Sequence, residues 1–392
     1  VVVGGGIIGC AVAAELARAG AEVVALEQGG IASAASGRNH GLIFYPQNPV
    51  TAPLYSVSLE IYREMAEASE IDVGLDQRPR GFVIVVAQEQ EWAAAQAEAE
   101  ASAGGEVEIE RLDSDALMAA EPNLAPGHLG GYFIGDGYRL DPAALTLVLA
   151  LEARRAGAEI VTHCEVKQVL VSKGRVRGIA SDLGVVSTEV VVDAAGPWAP
   201  KLARSAGADL PIAGARGWLL LTRAIDPITN HLVESSGWHL PAGEAGPGEV
   251  ILGSYAEGRP TPPDVGLIVQ QNRSGHVLLG GARLASLADH HQGQEVVLEI
   301  ARRAVRTVPA LTHVTLAGVW SGVRPTSPDG IPLIGWLDGL EGFFVAGGHG
   351  GQGVILGGGT GRLAAAMVLG GTPFTDPSPF SPRRLSRGQA WR

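Results

Sequence analysis

Three glycines and one glutamate near the start of the chain have the types and spacing that bind a dinucleotide. Gly4, Gly6 and Gly9 fall at G-x-G-x-x-G spacing, and Glu27 follows on the same segment. In this pattern the first glycine permits a tight turn, the second lets backbone N–H groups approach a pyrophosphate, and the third lets a helix pack closely on a strand. A glutamate about twenty residues beyond the glycines accepts hydrogen bonds from ribose hydroxyls. The four residues therefore predict a nucleotide site.

The elements that position these residues form a strand–helix–strand unit. Val1 to Val3 predict a short buried strand, Ile7 to Ala19 a helix, and Val23 to Leu26 a second strand. The first residues of the helix are Ile7 and Ile8, and the partial positive charge of this end would face the phosphates. Taken alone, this unit would suit an NAD enzyme as well as an FAD enzyme.

Composition excludes several other classes of function. The chain has 392 residues, enough for two or three domains, and 41 acidic against 29 basic residues give it a formal charge of -12. This charge argues against nucleic acid and against anionic membranes as partners. The two cysteines, Cys10 and Cys164, fit a reducing compartment. With no signal-peptide pattern and no apolar run long enough to span a bilayer, we expect a cytoplasmic protein without a transmembrane segment.

A long loop of small residues follows the second strand and reads GGIASAASGRNHG from Gly29. Such a loop is expected to lie across the nucleotide rather than in a core, and its Ser33, Ser36 and Arg38 could donate to phosphate oxygens. The alternative is a flexible connector. The residues assigned to the cofactor in and beside this loop are Gln28, Ser33, Ser36, Gly37, Arg38, Asn39, His40 and Gly41.

Hydrophobic periodicity and turn residues predict further elements along the chain. The predicted helices cover Thr51 to Ala68, Glu89 to Ala103, Ser114 to Ala120, a stretch beginning at Pro142, and Glu295 to Val308. The predicted strands cover Gly81 to Ala87, Gly130 to Ile134, Glu159 to Val161, Val166 to Val171, Arg175 to Ala180, Val190 to Val192, Trp218 to Arg223, Gly266 to Gln270, Val277 to Leu279 and Phe343 to Val345. Two of the strands run into small-residue turns, Asp193 to Trp198 and Gly348 to Gly353, which suit close approach of backbone to a ligand.

Nucleotide-type segments thus occur at the start, middle and end of the chain, with two other stretches between them. This order predicts two interleaved domains of an α/β protein. A Rossmann-like nucleotide-binding domain would comprise residues 1–48, 140–210 and 318–392, and a substrate domain residues 49–139 and 211–317. The substrate domain is expected to be α+β, built on a large mixed or antiparallel sheet.

At this point the residues carry a family resemblance. The chain resembles the flavoprotein family that includes D-amino acid oxidase, glycine oxidase, sarcosine oxidase and D-amino acid dehydrogenases such as D-arginine dehydrogenase. The resemblance runs over nearly the whole chain through VVVGGGIIG with Glu27, SAASGRNHG, GYRLDPAAL, GAEIVTHCEV, VVDAAGPWAPKL, GVRPTSPDGIPLIG and GGHGGQGVILGGGTGRL. The order and spacing of these motifs are more specific than any one of them.

The resemblance implies a nucleotide-binding domain of the glutathione-reductase type that binds FAD in an extended form. The opening glycines would hold its pyrophosphate, Glu27 the adenosine ribose, and the backbone of Val166 the adenine. The helix after Gly353 would face the flavin, where its N-terminus stabilises negative charge. The other residues that the resemblance assigns to FAD are Ala195, Gly196, Trp198, Gly322, Arg324, Gly348, His349, Gly350, Gly351, Gln352 and Gly353.

Three residues are predicted to be catalytic. Arg324 falls where relatives carry the arginine that pairs with the substrate carboxylate, and a guanidinium is a good bidentate ligand for that group. Its alternative is an ordinary ion pair. His40 and His349 are expected beside the flavin or in loop positions without a role. Some relatives bond FAD covalently to a histidine in the region of His40, although the surrounding sequence matches those relatives poorly.

The substrate pocket is predicted less sharply, because aromatic residues occur in cores more often than in ligand sites. The candidates are Tyr45, Tyr138, Trp218, Trp238, His239 and Tyr255. No metal site is predicted, since the adjacent His290 and His291 lack further Cys or His ligands at suitable spacing.

The resemblance and this chemistry together predict an FAD-dependent amine or amino-acid oxidoreductase. It would transfer a hydride from a carboxylate-bearing amine to flavin N5, and the imine would then be hydrolysed. Molecular oxygen or another acceptor would reoxidise the flavin. The alternatives are a flavin-dependent 2-hydroxy-acid dehydrogenase and an FAD-holding subunit of a larger dehydrogenase complex. A homo- or a hetero-oligomer fits the sequence equally.

Overall fold

A computed structural model of the chain describes residues 1–46, 48–75, 81–104, 107–135, 137–235, 264–284 and 293–385. Its helices are α1 (Ile7–Arg18), α2 (Ala52–Ala68), α3 (Trp92–Ala103), α4 (Ser114–Ala120), α5 (Pro142–Arg155), α6 (Ala199–Ser205), α7 (Gly293–Thr307) and α8 (Gly353–Val368). Its strands are β1 (Val2–Val3), β2 (Val24–Leu26), β3 (Leu42–Ile43), β4 (Phe82–Val86), β5 (Ile109–Asp113), β6 (Gly130–Ile134), β7 (Tyr138–Arg139), β8 (Glu159–Val161), β9 (Val166–Ser172), β10 (Arg175–Ser181), β11 (Gly184–Ser187), β12 (Val191–Asp193), β13 (Ala213–Thr222), β14 (Leu232–Ser235), β15 (Asp264–Gln271), β16 (Val277–Arg283), β17 (Leu316–Thr326), β18 (Leu333–Trp336) and β19 (Phe343–Gly347).

A six-stranded sheet carries the opening motif. Its strand order is β18-β19-β12-β1-β2-β8, and every pair is parallel except β18 with β19. The chain passes from β1 through α1 to β2 on one side, whereas β12 pairs with β1 on the other. The strand order therefore reverses at β1, and ligands of such sheets bind at the carboxyl ends of the strands beside that reversal.

An eight-stranded sheet forms the second large layer. Its order is β17-β13-β16-β15-β14-β4-β6-β5, and its strand pairs are antiparallel apart from β14 with β4. One face buries Leu220, Val269 and Leu279 with residues of α7, and the other buries Ile84 and Ile268 with residues of α3. Alternation of side chains along each strand produces these two faces. The pairs β3–β7 and β9–β10–β11 form two smaller sheets.

Helix α8 packs between α1 and α2, and its glycines make this close approach feasible. The Oγ atom of Ser58 on α2 accepts the N–H of Gly359 at 2.8 Å, and the hydroxyl of Tyr62 donates to the carbonyl of Val354 at 2.8 Å. A Cβ atom on Gly361 would lie 2.7 Å from the backbone carbon of Ala11. The end of the chain is thereby held against its beginning.

The fold class predicted from the sequence is confirmed: a Rossmann-like parallel sheet is combined with a large mixed sheet. The sequence prediction did not include the strands β3, β5, β7, β11, β14, β18 and the long strand β17. The predicted helix from Glu89 begins instead with a 3-10 turn, Glu89–Glu91, before α3. Within the part of the chain that the structure describes, no helix combines the length and apolarity needed to cross a membrane.

The domain boundaries remain a proposal. All strands of the six-stranded sheet come from residues 1–48, 140–210 and 318–392, and the strands of the eight-stranded sheet come from residues 49–139 and 211–317 with one exception. The exception is β17, which extends through position 318 and pairs with β13 on both sides of it.

Candidate cofactor and active site

A long cleft opens at the carboxyl ends of β1, β2, β12 and β19. It encloses about 1290 Å³ between protein atoms, including the part open to solvent. Its walls come from the segments after β1 and β2, the loop 34–39, the segment before and at the start of β9, the turn after β12, and the turn between β19 and α8. The cleft thus lies at the strand-order reversal, as the topology requires.

The turn from β1 into α1 presents backbone rather than side chains to the cleft. Gly4 has a φ of +117°, and a Cβ atom there would overlap the carbonyl oxygen of Ala194. A Cβ atom on Gly9 would overlap the carbonyl oxygen of Gly4, so the helix can approach the strand only with glycine at this position. The N-cap of α1 is Gly6, which has no side chain to cap the helix. The positive end of α1 therefore faces the cleft.

Glu27 is fixed at the end of β2 by two short hydrogen bonds. Its Oε2 atom accepts the N–H of Gly5 at 2.6 Å, and its Oε1 atom accepts the N–H of Gly29 at 2.7 Å. Each carboxylate oxygen can accept a second hydrogen bond. Since Glu27 lines the cleft, its carboxylate is positioned to accept hydrogen bonds from a ligand.

The small-residue loop after β2 is ordered by its own polar side chains. The Oγ atom of Ser36 accepts the N–H of Ile7 at 2.9 Å, which satisfies one free donor of the α1 terminus. The amide of Asn39 donates to the carbonyls of Ala35 and Ser36, both at 2.9 Å, and its Oδ1 atom accepts the N–H of Gly41. These bonds fix the loop against α1.

The turn between β19 and α8 forms the other end of the cleft. The N–H of Gly350 donates to the carbonyl of Pro325 at 2.7 Å, and α8 begins at Gly353 without a side-chain cap. His349 is buried, and its Nε2 atom lies 2.9 Å from the hydroxyl of Thr360. Burial lowers the pKa of His349 to about 3, so the ring is neutral at ordinary pH. Its Nδ1 atom is buried with no hydrogen-bond partner among the described residues.

Arg324 lines the same end of the cleft. It lies on β17, half-buried, and its Nη1 atom donates to the carbonyl of Ala282 at 3.0 Å. Three strand spacings separate β19 from β2 in the sheet, so this end lies roughly 14 Å from Glu27. The cleft therefore carries a carboxylate at one end and a guanidinium at the other.

His40 lies beside this guanidinium end but is not among the residues that line the cleft. Its Nδ1 atom is 3.1 Å from Oε1 of Gln270. Burial and, to a smaller extent, the charge of Arg324 lower the pKa of His40 to about 4, although the hydrogen bond to Gln270 and the charge of Glu234 oppose this shift. Its Nε2 atom is buried without a hydrogen-bond partner in the described part of the chain.

The structure brings most of the predicted cofactor residues to one cleft. Those that line it are Gly4, Gly6, Ile7, Ile8, Glu27, Gln28, Ser36, Asn39, Val166, Ala195, Gly196, Trp198, Arg324, His349, Gly350, Gly351 and Gly353. Those that do not line it are Gly9, Ser33, Gly37, Arg38, His40, Gly41, Gly322, Gly348 and Gln352. Arg38 instead donates to the carbonyl of Ser321 at 3.2 Å.

The predicted substrate-pocket residues are scattered. Tyr45 packs edge-on against Tyr55 at 5.7 Å between ring centroids, and Trp218 is buried beneath α7 on the sheet face opposite His40. Tyr138 accepts a hydrogen bond from Arg63 at 2.6 Å and lines a separate pocket of about 300 Å³. Neither Tyr45 nor Trp218 reaches the cleft. Trp238, His239 and Tyr255 lie outside the described residues, as do His290 and His291.

Sequence reasoning missed several residues that line the cleft near Val166. Cys164, Glu165, Lys167 and Lys201 lie there, and Nζ of Lys201 is 3.0 Å from a carboxylate oxygen of Glu165. The signal was available, because three of them flank Val166 in the sequence. The two lysines are at the Glu27 end, away from Arg324.

The residues of the cleft fit an extended FAD molecule. The cleft contains two helix N-termini, those of α1 and α8, whose own N-cap residues provide no side-chain cap, at positions where anionic groups of a dinucleotide would lie. Glycines leave the backbone exposed at both termini. The Nδ1 atom of His349 is buried and has no hydrogen-bond partner among the described residues, as expected of a group that meets a ligand.

Comparison with known proteins agrees with this geometry. The family model described as FAD dependent oxidoreductase (DAO) matches residues 1–367. The chain is 27% identical over 389 residues to a glycine oxidase of Pseudomonas putida, covering 97% of each chain. It is 27% identical over 333 residues to hydrogen cyanide synthase subunit HcnC of Pseudomonas protegens, covering 83% of this chain and 71% of that protein.

Among solved structures, glycine oxidase from Geobacillus kaustophilus superposes with a TM-score of 0.82 at 24% identity, covering 99% of this chain and 98% of that one. This likeness establishes the shared fold, and the family match extends over most of the chain. The protein is a member of the DAO family of FAD-dependent oxidoreductases, with FAD as its cofactor.

Proposed function

We propose that the protein oxidises a carboxylate-bearing amine, an amino acid or an N-alkyl amino acid, to an imine. The observation that carries this proposal is the position of Arg324 at the end of the cleft opposite Glu27, beside the turn that leads into α8. Several relatives are glycine oxidases, and that name describes an enzyme of this type.

Arg324 has the chemistry of a carboxylate anchor. A guanidinium binds a carboxylate through two parallel N–H···O bonds, which fixes both position and orientation. Its Nη1 atom donates to the carbonyl of Ala282 at 3.0 Å, which fixes the position of the guanidinium on the sheet. With the carboxylate held, the Cα–H bond of the substrate has a defined direction.

The two histidines keep the site from carrying further positive charge. Burial lowers the pKa of both His40 and His349 well below neutrality. Neutral imidazoles do not repel an ammonium group, and each can accept a hydrogen bond. The positive charge at this end of the cleft therefore comes from Arg324 rather than from the two histidines, which suits a substrate that carries a carboxylate.

The reaction needs little acid–base chemistry from the protein. FAD, when bound, supplies the acceptor for a hydride from the substrate carbon. The amine loses a proton, and water then hydrolyses the imine to a carbonyl compound and an amine or ammonia. The residues of the chain bind and orient: Glu27 and α1 would hold the nucleotide end, α8 would stabilise negative charge on the flavin, and Arg324 would hold the substrate.

An anaerobic screen of flavin reduction tests the proposal. The purified holoenzyme is mixed with glycine, sarcosine, proline, and D- and L-amino acids, and in parallel with 2-hydroxy acids. Loss of the oxidised-flavin absorbance with amines alone supports the proposal, whereas reduction by hydroxy acids alone would replace it with 2-hydroxy-acid dehydrogenation. Reoxidation by air against reoxidation by a dye then separates oxidase from dehydrogenase.

The anchor is tested with the best substrate of that screen. Arg324→Ala should raise KM by roughly 100-fold or more, since a bond to a charged group contributes about 1.5–3 kcal/mol and two are lost. Arg175→Ala, which removes an exposed guanidinium paired with Glu341, is the matched control. Unchanged KM and kcat in Arg324→Ala would rule out the anchor.

The match to hydrogen cyanide synthase subunit HcnC favours one second candidate, an FAD-holding subunit of a complex. This candidate predicts that no amine reduces the flavin of the purified chain and that reduction begins once partner subunits are added. Reduction by the isolated chain excludes it.

A further inference from the structure

Two side chains with ligand-binding chemistry lie over glycines on the same face of the eight-stranded sheet. A Cβ atom on Gly217 of β13 would lie 2.5 Å from Nη1 of Arg324, and one on Gly280 of β16 would lie 2.9 Å from Nε2 of His40. Leu219 pairs with Gly280, so Gly217 is the diagonal neighbour of Gly280. Diagonal neighbours on one face are about 7–8 Å apart.

Since Nη1 of Arg324 and Nε2 of His40 lie close to these two glycine positions, both polar atoms belong to one area of the sheet surface. This is the arrangement needed to bind the carboxylate and the amine of one α-amino acid. Arg324 would meet the carboxylate, and the ring nitrogen of His40 would meet the amine. The absence of a Cβ atom leaves room for the guanidinium at Gly217 and, at Gly280, for the imidazole beside the side chain of Leu219.

The hydrogen bond to Gln270 decides what His40 can offer. Gln270 is buried on β15, and its Oε1 atom is the partner of Nδ1 at 3.1 Å. An amide oxygen only accepts, so Nδ1 carries the proton of the neutral ring and Nε2 has a lone pair. The opposite tautomer would bury an unpaired N–H at Nε2, and orphaned buried donors are rarer than orphaned acceptors.

We propose that Gln270 is a positioning residue that holds His40 in the Nδ1–H tautomer, so that Nε2 accepts a hydrogen bond from the substrate amine. This inference rests on the proposed function and deepens it, because it adds an amine contact to the carboxylate contact of Arg324. The carboxylate and the amine are two substituents of the substrate Cα, and both would be fixed while the Cα–H bond faces the flavin. This arrangement would restrict which enantiomer reacts.

The charges around His40 agree with a neutral acceptor. The guanidinium of Arg324 on β17 disfavours protonation of the ring, whereas the carboxylate of Glu234 on β14 favours it. Burial exceeds both effects and lowers the pKa of His40 to about 4. Replacing Gln270 by glutamate would place an anion on Nδ1, which raises the pKa of the ring but retains its Nδ1–H bond.

Nitrogen NMR of the histidine rings tests the tautomer in the wild-type holoenzyme without reference to activity. The His40 signals are assigned by their loss in His40→Asn. We expect a protonated Nδ1 and an unprotonated Nε2 at neutral pH. A protonated Nε2 would overturn the proposal even if no variant of Gln270 folds.

Kinetics of two variants test the role. Gln270→Leu should lower kcat/KM for the amine substrate at least tenfold and lose the Nδ1–H signal. Gln270→Glu should keep that signal, lose activity at acid pH and recover it at alkaline pH, because the ring is protonated over a wider range. If both variants lost kcat/KM equally at every pH and the His40 ring signals were unchanged, the role of Gln270 would be structural only. That result would overturn the proposal.

Gln271→Leu provides the matched control. Gln271 is the next residue on the strand and binds the backbone at Ile225 and Asp226 through its amide nitrogen, at 3.2 and 3.1 Å. Its loss should lower stability while the His40 signals and the pH profile stay unchanged. The anaerobic flavin-reduction screen tests the substrate class separately. Flavin reduction by hydroxy acids alone would refute the amine substrate, whereas the NMR signals of the His40 ring would still show whether Gln270 fixes the tautomer.

Discussion

At the scale of single residues, Asp193 shows how burial beside the cleft affects folding. It is fully buried at the end of β12, where its Oδ1 atom accepts the N–H of Ala195 at 3.1 Å. Burial raises the pKa of this carboxyl to about 8. Between about pH 4 and pH 8 the folded chain keeps this proton whereas the unfolded chain releases it, so the contribution of Asp193 to stability falls as pH rises through this range.

Asp193→Asn is expected to remove that pH dependence. The asparagine retains the acceptor for Ala195 and cannot ionise. The free energy of unfolding of the variant, relative to wild type, should therefore increase by up to about 1.4 kcal/mol per pH unit between about pH 4 and pH 8. Urea unfolding across this range measures it, with the exposed Asp115→Asn as control. A difference that stays constant with pH would contradict the expectation.

Glu27 carries a prediction about cofactor affinity. Both of its oxygens accept backbone N–H groups, so Glu27→Gln exchanges one acceptor for a donor that faces another donor. The carboxylate would accept a charge-assisted hydrogen bond from a ribose hydroxyl, which contributes about 1.5–3 kcal/mol, so its loss should raise the Kd for FAD at least tenfold. Fluorescence titration of the apoprotein with FAD measures this, and Glu22→Gln on the surface should leave Kd unchanged. An unaltered Kd in Glu27→Gln would remove the ribose assignment.

At the scale of elements, the packing of α8 against α1 predicts the effect of a single methyl group. A Cβ atom at Gly361 would lie 2.7 to 2.8 Å from the carbonyl carbon, Cβ and oxygen atoms of Ala11. These distances are too short for a side-chain adjustment to relieve the clash. Overpacking of this kind costs about 1–3 kcal/mol, and alanine regains at most about 1 kcal/mol of helix propensity.

We therefore expect Gly361→Ala to lower the free energy of unfolding despite its better helix propensity. Chemical denaturation of the apoprotein measures the change without a contribution from FAD. Gly371→Ala is the control, because a Cβ atom there meets nothing closer than 3.6 Å. A stabilised Gly361→Ala protein would mean that α8 can move away from α1.

Elements differed in how far the sequence could predict them. The β1–α1–β2 unit was predictable because the spacing of its glycines and its apolar residues, all within one short segment, is enough to indicate the strands, the turn and the helix. Strand β17 was not, since Gly318, Gly322 and Pro325 are all unusual in strands. Pro325 is tolerated because β17 lies at the edge of the sheet, where a missing N–H breaks no ladder.

The candidate site shows the same limit. Arg324 was predicted from its motif. Its position over Gly217, however, depends on the register between β13 and β17, which here pairs residues more than a hundred positions apart. Gln270 carried no signal at all, because a glutamine on a strand is typical of a solvent-facing position. The sequence could not show that Trp218 lies on the face that packs against α7, since a shift of one residue along a strand exchanges its faces.

At the scale of the whole molecule, the cleft joins three parts of the chain that are distant in sequence. The glycine turn after β1, the turn after β12 and the turn before α8 all line it. A ligand that contacts all three can do so only when the six-stranded sheet is complete and α8 is docked. Binding of FAD and folding of this domain are therefore linked.

This linkage predicts how the cofactor and its fragments stabilise the protein. FAD at about 100 times its Kd should raise the free energy of unfolding of the apoprotein by about 2.7 kcal/mol. ADP at the same multiple of its own Kd would raise the free energy of unfolding by the same amount. The two ligands are therefore compared at the same concentration. There FAD should raise Tm more than ADP, because ADP reaches the Glu27 end of the cleft and leaves the α8 end without contacts. Equal shifts would mean that α8 does not contribute to binding.

A separate experiment on the holoenzyme decides how the cofactor is attached. The ring of His40 is bonded to Gln270 and lies outside the lining of the cleft, so we expect FAD to be held without a covalent bond. Denaturation and precipitation of the holoenzyme should then release all of the yellow colour into the supernatant. His40→Asn serves as the comparison, because it cannot form a histidyl link. Flavin retained in the wild-type pellet and released from the variant would show that His40 reaches the flavin after all, and would remove the amine contact assigned to its Nε2 atom.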